Sequence, residues 1–309
     1  MASLDRIADY VIDQPRPLIG AETIQLIILR EVLDYTVLRT EETRELNSVA
    51  TPLSEKARGT VAKRVAFLGT KQKAAESRQL ESILRSAATK AGKDIEDCYL
   101  KDNLCLACPR CGLHGGSALG EAPNIKHRIE YSTAFSLLPF EQISEEITFN
   151  AINEPDQRTG QALGSRHVVK PASVFPSIVT LKAVTREELI LAVKTLLACK
   201  SYGAESRIGG DCRNTIFGIA AGWEEIITPL ELTLELYDQK DGLDANALKT
   251  LLDGKYKALA GNPDRVTVLS AGEIDALVKE CADTPLDRGF LDKAYEDIAE
   301  YRKDQSKRP

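Results

Sequence analysis

Residues 174–197, Val174-Phe-Pro-Ser-Ile-Val-Thr-Leu-Lys-Ala-Val-Thr-Arg-Glu-Glu-Leu-Ile-Leu-Ala-Val-Lys-Thr-Leu-Leu197, decide the fold. Val174 to Val184 is apolar and β-branched, the pattern of a central strand, with an irregularity required near its start by Pro176. Thr185-Arg-Glu-Glu188 is a capping box, and Leu189, Ile190, Val193, Leu196 and Leu197 follow at helical spacing. A strand therefore feeds directly into a helix.

Working outward, Asn214 to Trp223 and Leu230 to Tyr237 read as strands downstream. Upstream, Thr23 to Arg39 has strand character, Glu76 to Lys90 carries a helical stripe of Leu80, Ile83, Leu84 and Ala87, and Lys126 to Leu138 reads as another strand. With insertions set aside, the order is strand, helix or cysteine knot, strand, strand, helix, strand. That is the split βαβ arrangement, an α+β ferredoxin-like core of the kind RNA-recognition modules use. The aromatic signature of those modules is absent and aromatics are 6% of the chain, so stacking of bases on sheet aromatics is not the expected binding mode.

The insertions into this core are large. Residues 40–104 form a basic and partly helical insertion that opens with a polar stretch over 40–75. Residues 98–116 form a cysteine knot. Residues 138–172 form a long hairpin, with arms at Glu145–Ile152 and Arg166–Val169 around a polar tip. The core with its insertions spans 1–240, and 241–309 is a helical C-terminal region. In that region Asp244 to Leu252 is a helix stopped by Gly254, Ser270-Ala-Gly-Glu273 caps a helix to Ala282, and a charged helix ends the chain.

At 309 residues and 28% charged, the composition is that of a globular protein, and no run approaches the ~20 apolar residues of a membrane span. No apolar signal segment opens the chain, so the expectation is a cytoplasmic protein with reduced cysteines, where clustered thiols favour metal over disulfides. The net charge is −6, but it is unevenly spread. Residues 56–93 carry ten Lys or Arg against Glu76 and Glu81, whereas residues 1–55 and 231–309 each sum to −5. A phosphate backbone responds to local potential, so this segment, with Lys63 and Arg64 and the nearby Arg39, is a candidate nucleic-acid surface. A solvated basic loop is the plainer reading.

Cys105, Cys108 and Cys111 recur at constant spacing, with Cys98 upstream and His114 downstream. A C-x2-C turn supplies two ligands of a tetrahedral zinc site. Cys98 and Cys111 would complete a four-cysteine set, with His114 as the alternative ligand. Structural zinc of this type contributes about 10–16 kcal/mol in small peptides. Free buried thiols and a redox pair are the competing readings. Cys199, Cys212 and Cys281 are scattered and read as core.

Two further segments carry basic residues. In Ser206–Asn214, Gly209 and Gly210 permit close backbone approach, with Arg207 and Arg213 as fork-shaped phosphate donors. In Gly164–Lys170, Arg166, His167 and Lys170 sit on a hairpin arm. A tight turn and an ordinary exposed arm are the plainer readings. His127 and His167 could act as an acid–base pair for RNA cleavage, but nothing in their spacing brings them together.

Cys108-Pro-Arg-Cys-Gly-Leu-His-Gly115 resembles the Cys-Pro-x-Cys-x-Leu-Phe-Gly element in backbone subunits of CRISPR surveillance complexes, within the RAMP superfamily. Ile143–Ala151, Arg158–Val169, Phe175–Leu181 and Tyr202–Asn214 are similar to the type I-D backbone subunit in particular, with His114 where the family carries an aromatic. The resemblance implies an RNA-recognition-like core with a zinc-stabilised subdomain and a thumb-like hairpin. It implies copies stacked head-to-tail on guide RNA (crRNA), contact with target nucleic acid and other complex subunits, and no nuclease activity. Carried over, Arg207, Gly209, Gly210 and Arg213 would lie against guide phosphates, Arg166, His167 and Lys170 would sit on the thumb, and the cysteines would hold structural zinc. A guide-processing endoribonuclease of the same superfamily is the alternative.

Overall fold

The computed structural model describes residues 3–39, 45–100, 103–117, 123–149, 155, 164–203 and 209–307. At its centre β1 (Thr23–Val32) lies between β8 (Val174–Lys182) and β9 (Cys212–Gly222). With β4 (Ile129–Tyr131) and β10 (Thr267–Val268) at the edges, the sheet order is β10-β9-β1-β8-β4, antiparallel throughout. Ile24 faces Leu181 and Ile28 faces Ser177 across β1 and β8, and a bulge interrupts β1 against β9 between Ile27 and Ile28.

Pro176 is tolerated in this central strand for a specific reason. Lys182 N–H donates to Arg128 O and Val174 O accepts from Leu137 N–H, so even-numbered residues of β8 point away from β1. β4 pairs only residues 179–181, so no ladder bond is needed from Pro176.

Alternation along β1 sends side chains to two opposite layers. Ile24, Leu26 and Ile28 pack with α1 (Gly69–Ala91) through Leu80 and Leu84, and with α4 (Arg186–Ala198) through Leu189, Val193 and Leu196. The capping box of Thr185 and Glu188 opens α4. Ile27 faces the other layer, made by α5 (Pro229–Tyr237) and α6 (Ala245–Leu251) through Leu232, Leu236 and Leu248. Both faces of the sheet are therefore covered, and neither is an open platform.

The further α-helices among the described residues are α2 (Pro109–His114), α3 (Phe140–Ile143), α7 (Lys257–Leu259), α8 (Ala271–Asp283) and α9 (Arg288–Ser306). Two smaller sheets accompany the main one: β2 (Ser48–Pro52), β3 (Val61–Phe67) and β5 (Ala134–Phe135) in one, and β6 (Ser144–Phe149) with β7 (Gly164–Val169) in the other.

Three sequence expectations are corrected, and the structure of a fourth stretch is added. Residues 230–237 are helical, because Thr228, Pro229 and Glu231 form a capping box with proline at the first helical position. Gly254 does not stop a helix; a wider turn over Leu252–Tyr256 carries the chain through it into α7. Residues 126–138 split into β4 and β5, which join different sheets. The polar stretch 40–75 holds the β2–β3 pair, with Val49 opposite Arg64.

Candidate nucleic-acid interface and metal centre

Cys108 is the N-cap of α2 and Pro109 its first residue, which turns Cys111 back toward Cys108. The Sγ atoms of Cys98, Cys105, Cys108 and Cys111 all lie within 4.8 Å of one another. Cys98 Sγ is 3.6 Å from both Cys108 Sγ and Cys111 Sγ. Tetrahedral zinc with sulfurs at ~2.3 Å places them ~3.8 Å apart, so the donor set fits that ion. Zinc here would supply a structural cross-link between the 98–105 loop and α2. Packed this closely, the four thiols titrate as one coupled set. The knot packs on α9 through Ile298 and Tyr301. Gly112 allows this, since a Cβ there would stand 2.2 Å from Ile298 Cδ1.

His114 is outside this donor set. It is buried, with Nε2 3.3 Å from the Tyr131 hydroxyl. Burial, with Arg110 and Lys73 nearby, pulls its pKa down to about 3. The expectation of His114 as an alternative ligand is therefore replaced by a role in a polar network.

That network is centred on Glu76. Its Oε1 accepts from Tyr202 at 2.7 Å and pairs with Arg30 at 2.8 Å, and its Oε2 accepts from Tyr131 at 2.9 Å. Asn214 bonds both Arg30 and Tyr202. Arg30 and Glu76 are both buried; burial opposes the Arg30 charge, but Glu76 outweighs it and the pKa rises.

Above Tyr202 lies a cleft of about 240 Å³. Lys71 and Arg78 line one wall, seven residues apart on one face of α1. Arg39 and Leu38 form a second wall, and Tyr202 and Gly203 a third. Among the described residues neither Lys71 nor Arg78 has a carboxylate ion-pair partner.

Arg39 lines the cleft. The hairpin residues Arg166 and His167 stand on β7 opposite Ile147 and Glu146, with Lys170 just beyond. The hairpin foot and the glycine turn attach to the same segment after β1: Thr36 bridges Val169, and Leu33 N–H donates to Asp211 O. Gly210 adopts φ +63° and is buried, and a Cβ there would stand 2.7 Å from Gly203 N, so the turn's own packing accounts for that glycine. Gly209 is exposed, and Arg213 is exposed but ion-paired with Glu31. Lys63 is exposed on β3, its ammonium 4.4 Å from the Phe140 ring centroid. Arg207 and most of the hairpin tip lie outside the described residues.

Arg64 is a correction. It is fully buried, and it donates to Thr51 Oγ1 and to the carbonyls of Leu53, Ser136 and Leu137. Its fork is spent tying the insertion to the backbone that follows β5, and is closed to a phosphate. Lys71 and Arg78, conversely, are contacts that the sequence reading does not single out; their seven-residue spacing on α1 is the signal that marks them.

The comparisons bear on this arrangement. No curated protein matches the chain. The crystal structure of Thermofilum pendens Csc2 superposes with TM-score 0.65 at 21% identity, covering 97% of this chain and 94% of that one. A chain of a CRISPR RNA-guided surveillance complex superposes with TM-score 0.50 at 12% identity, covering 84% of this chain and 99% of that one. A chain of such a complex in its pre-nicking state gives 0.51 at 12% identity, over 84% and 100%. These likenesses concern the fold. The family model described as Csc2 Crispr matches residues 13–293, nearly the whole chain. With that match set beside the cysteine knot and the hairpin, the chain belongs to the Csc2 family of CRISPR proteins.

Proposed function

We propose that this chain is a non-catalytic backbone protomer of a type I-D CRISPR effector complex, binding guide RNA by its phosphates in a head-to-tail filament and supporting target DNA recognition. The observation that carries this reading is the cleft in which Lys71 and Arg78 face Tyr202–Gly203, anchored to the same segment as the hairpin foot. Two cations without carboxylate ion-pair partners among the described residues, beside a glycine turn, form a sequence-independent phosphate rail. The order β9-β1-β8-β4, with α1 and α4 on one face, supports a ferredoxin-like, RNA-recognition-like core. With the other face covered by α5 and α6, the strand would run along the edge, across the cleft and hairpin. The cysteine set supports structural zinc.

A filament of identical copies needs two unlike patches on each subunit, and the acidic ends and basic 56–93 segment supply opposite charges. No helix among the described residues is long and apolar enough to cross a membrane, and a cytoplasmic ribonucleoprotein is the accompanying proposal. The endoribonuclease alternative gains little from the site: His127 stands 3.8 Å from Glu130, ahead of β4, whereas His167 stands on β7 of the separate hairpin, opposite Glu146.

The test is incubation of the purified chain with labelled single-stranded RNA of repeating sequence across a salt series. Intact RNA, bound in regular multiples with steep salt dependence, is the expected result. Discrete metal-independent cuts, or preference for duplex DNA by the isolated chain, would overturn it.

A further inference from the structure

A second cavity, of about 650 Å³, lies on the adjoining face of α1; Ala74 borders both it and the cleft. Its volume is within the ~300–1,000 Å³ of small-molecule sites. Lys73 reaches it half-buried, with no carboxylate ion-pair partner among the described residues. Arg110 lines it, its guanidinium fixed by Ser77 Oγ at 2.8 Å and Gly115 O at 3.2 Å, with Glu81 at 3.3 Å. His114 lines it as well, 4% exposed, Nε2 tied to Tyr131 and Nδ1 buried without an aligned hydrogen-bond partner. His127 stands at the rim, and Leu104 and Ile125 supply an apolar wall.

The N-terminus of α1 also borders this space through Thr70, and no side chain caps it. Glu81 is shared between Arg110 and Arg85, so the cavity has more fixed positive than negative charge. Lys73 and both histidines are accordingly shifted toward their neutral forms, by burial first and then by neighbouring cations.

We infer that this cavity binds a nucleotide through a terminal phosphomonoester, with Lys73 and Arg110 receiving the phosphate and the Leu104–Ile125 wall receiving the base. The ligand is either a free nucleoside monophosphate or the phosphorylated end of an RNA strand. The site stands apart from the phosphate-rail reading of the neighbouring cleft, and Lys71 and Lys73, on either side of the shared wall, separate the two experimentally.

The experiment is calorimetric titration of the zinc-loaded full chain with 5′-AMP, adenosine and inorganic phosphate, on wild type, Lys73→Gln and Lys71→Gln. AMP should bind, adenosine should bind weakly or not at all, and Lys73→Gln should weaken AMP about tenfold, the loss of one charge-assisted contact. Lys71→Gln should leave AMP binding unchanged. Should Lys73→Gln fold poorly, the wild type still reports, because AMP should shift the His127 and His114 ring signals in NMR and leave His167 unmoved. A 5′-phosphorylated trinucleotide that binds as AMP does marks a strand end as the source; one that does not marks the free nucleotide. Absence of binding at millimolar AMP, adenosine binding as tightly as AMP, or equal weakening by Lys71→Gln would each overturn the assignment.

Discussion

Thr36 and Val169 exchange both backbone hydrogen bonds: Thr36 N–H donates to Val169 O at 3.1 Å, and Val169 N–H donates to Thr36 O at 2.8 Å. Three residues before Thr36, Leu33 N–H donates to Asp211 O at 2.7 Å. One short segment thus holds the hairpin foot and the glycine turn, two features 40 residues apart in sequence.

Thr36→Pro removes one of these donors and leaves the Val169 carbonyl unmet, at a cost of ~1–3 kcal/mol. Hydrogen exchange should quicken at residues 164–169 while the amides of β1 paired to β8 keep their protection. Uniform loss of protection across the central sheet would show that the bridge is not a local tether.

Lys71 and Arg78 act together in the proposed phosphate rail. The double variant Lys71→Gln/Arg78→Gln should bind single-stranded RNA more weakly and lower the slope of log affinity against log salt by ~1.4, two phosphate contacts at about 0.7 each. An unchanged slope would remove both residues from the interface.

The metal set is decided by comparing cysteine with histidine. Cys98→Ser or Cys105→Ser should reduce bound zinc well below one per chain, and chelation of the wild type should loosen α9, which packs on the knot through Ile298 and Tyr301. His114→Ala should leave zinc content unchanged, because that ring belongs to the Tyr131 network. Zinc lost with His114 and retained without Cys98 would reverse the assignment.

His114 also makes stability depend on pH in a defined direction. Its pKa is about 3 in the folded chain against an ordinary 6.5, so between these values the unfolded chain binds a proton that the folded chain refuses. Its contribution is complete above the upper value and is lost as pH falls toward the lower one. Relative to His114→Gln, the wild type should lose about 1.4 kcal/mol per pH unit across that window. Urea melts of both proteins at neutral and mildly acid pH measure it, and a wild type that gains stability relative to the variant on acidification would contradict it.

Arg64 supports the insertion and not the surface. Arg64→Ala leaves the carbonyls of Leu53, Ser136 and Leu137 without their buried donor and should destabilise the chain by on the order of 3 kcal/mol. Lys63→Ala, at an exposed position next to it, should shift the melt little. Equal effects from the two would mean that the buried guanidinium is not structural.

Local signals carried much of the fold. The capping boxes at Thr185 and Ser270, the apolar run of β8 and the recurring cysteines depend on neighbours in sequence, so they are legible without a partner surface. The same grammar is present at Thr228-Pro-Leu-Glu231, ahead of an apolar run that taken alone fits a strand. A short apolar run fits either element until its flanks are read.

The strand–helix succession, the gathering of thiols in the knot and the concentration of positive charge between residues 56 and 93 are all written in the chain. Which of those charges face outward is settled by packing. Arg64 turns in among backbone carbonyls, while Lys71 and Arg78 share a cleft with Tyr202 and Gly203. The reason is physical: charge and periodicity are properties of the chain alone, whereas the burial of a side chain is set by elements distant in sequence that pack against it.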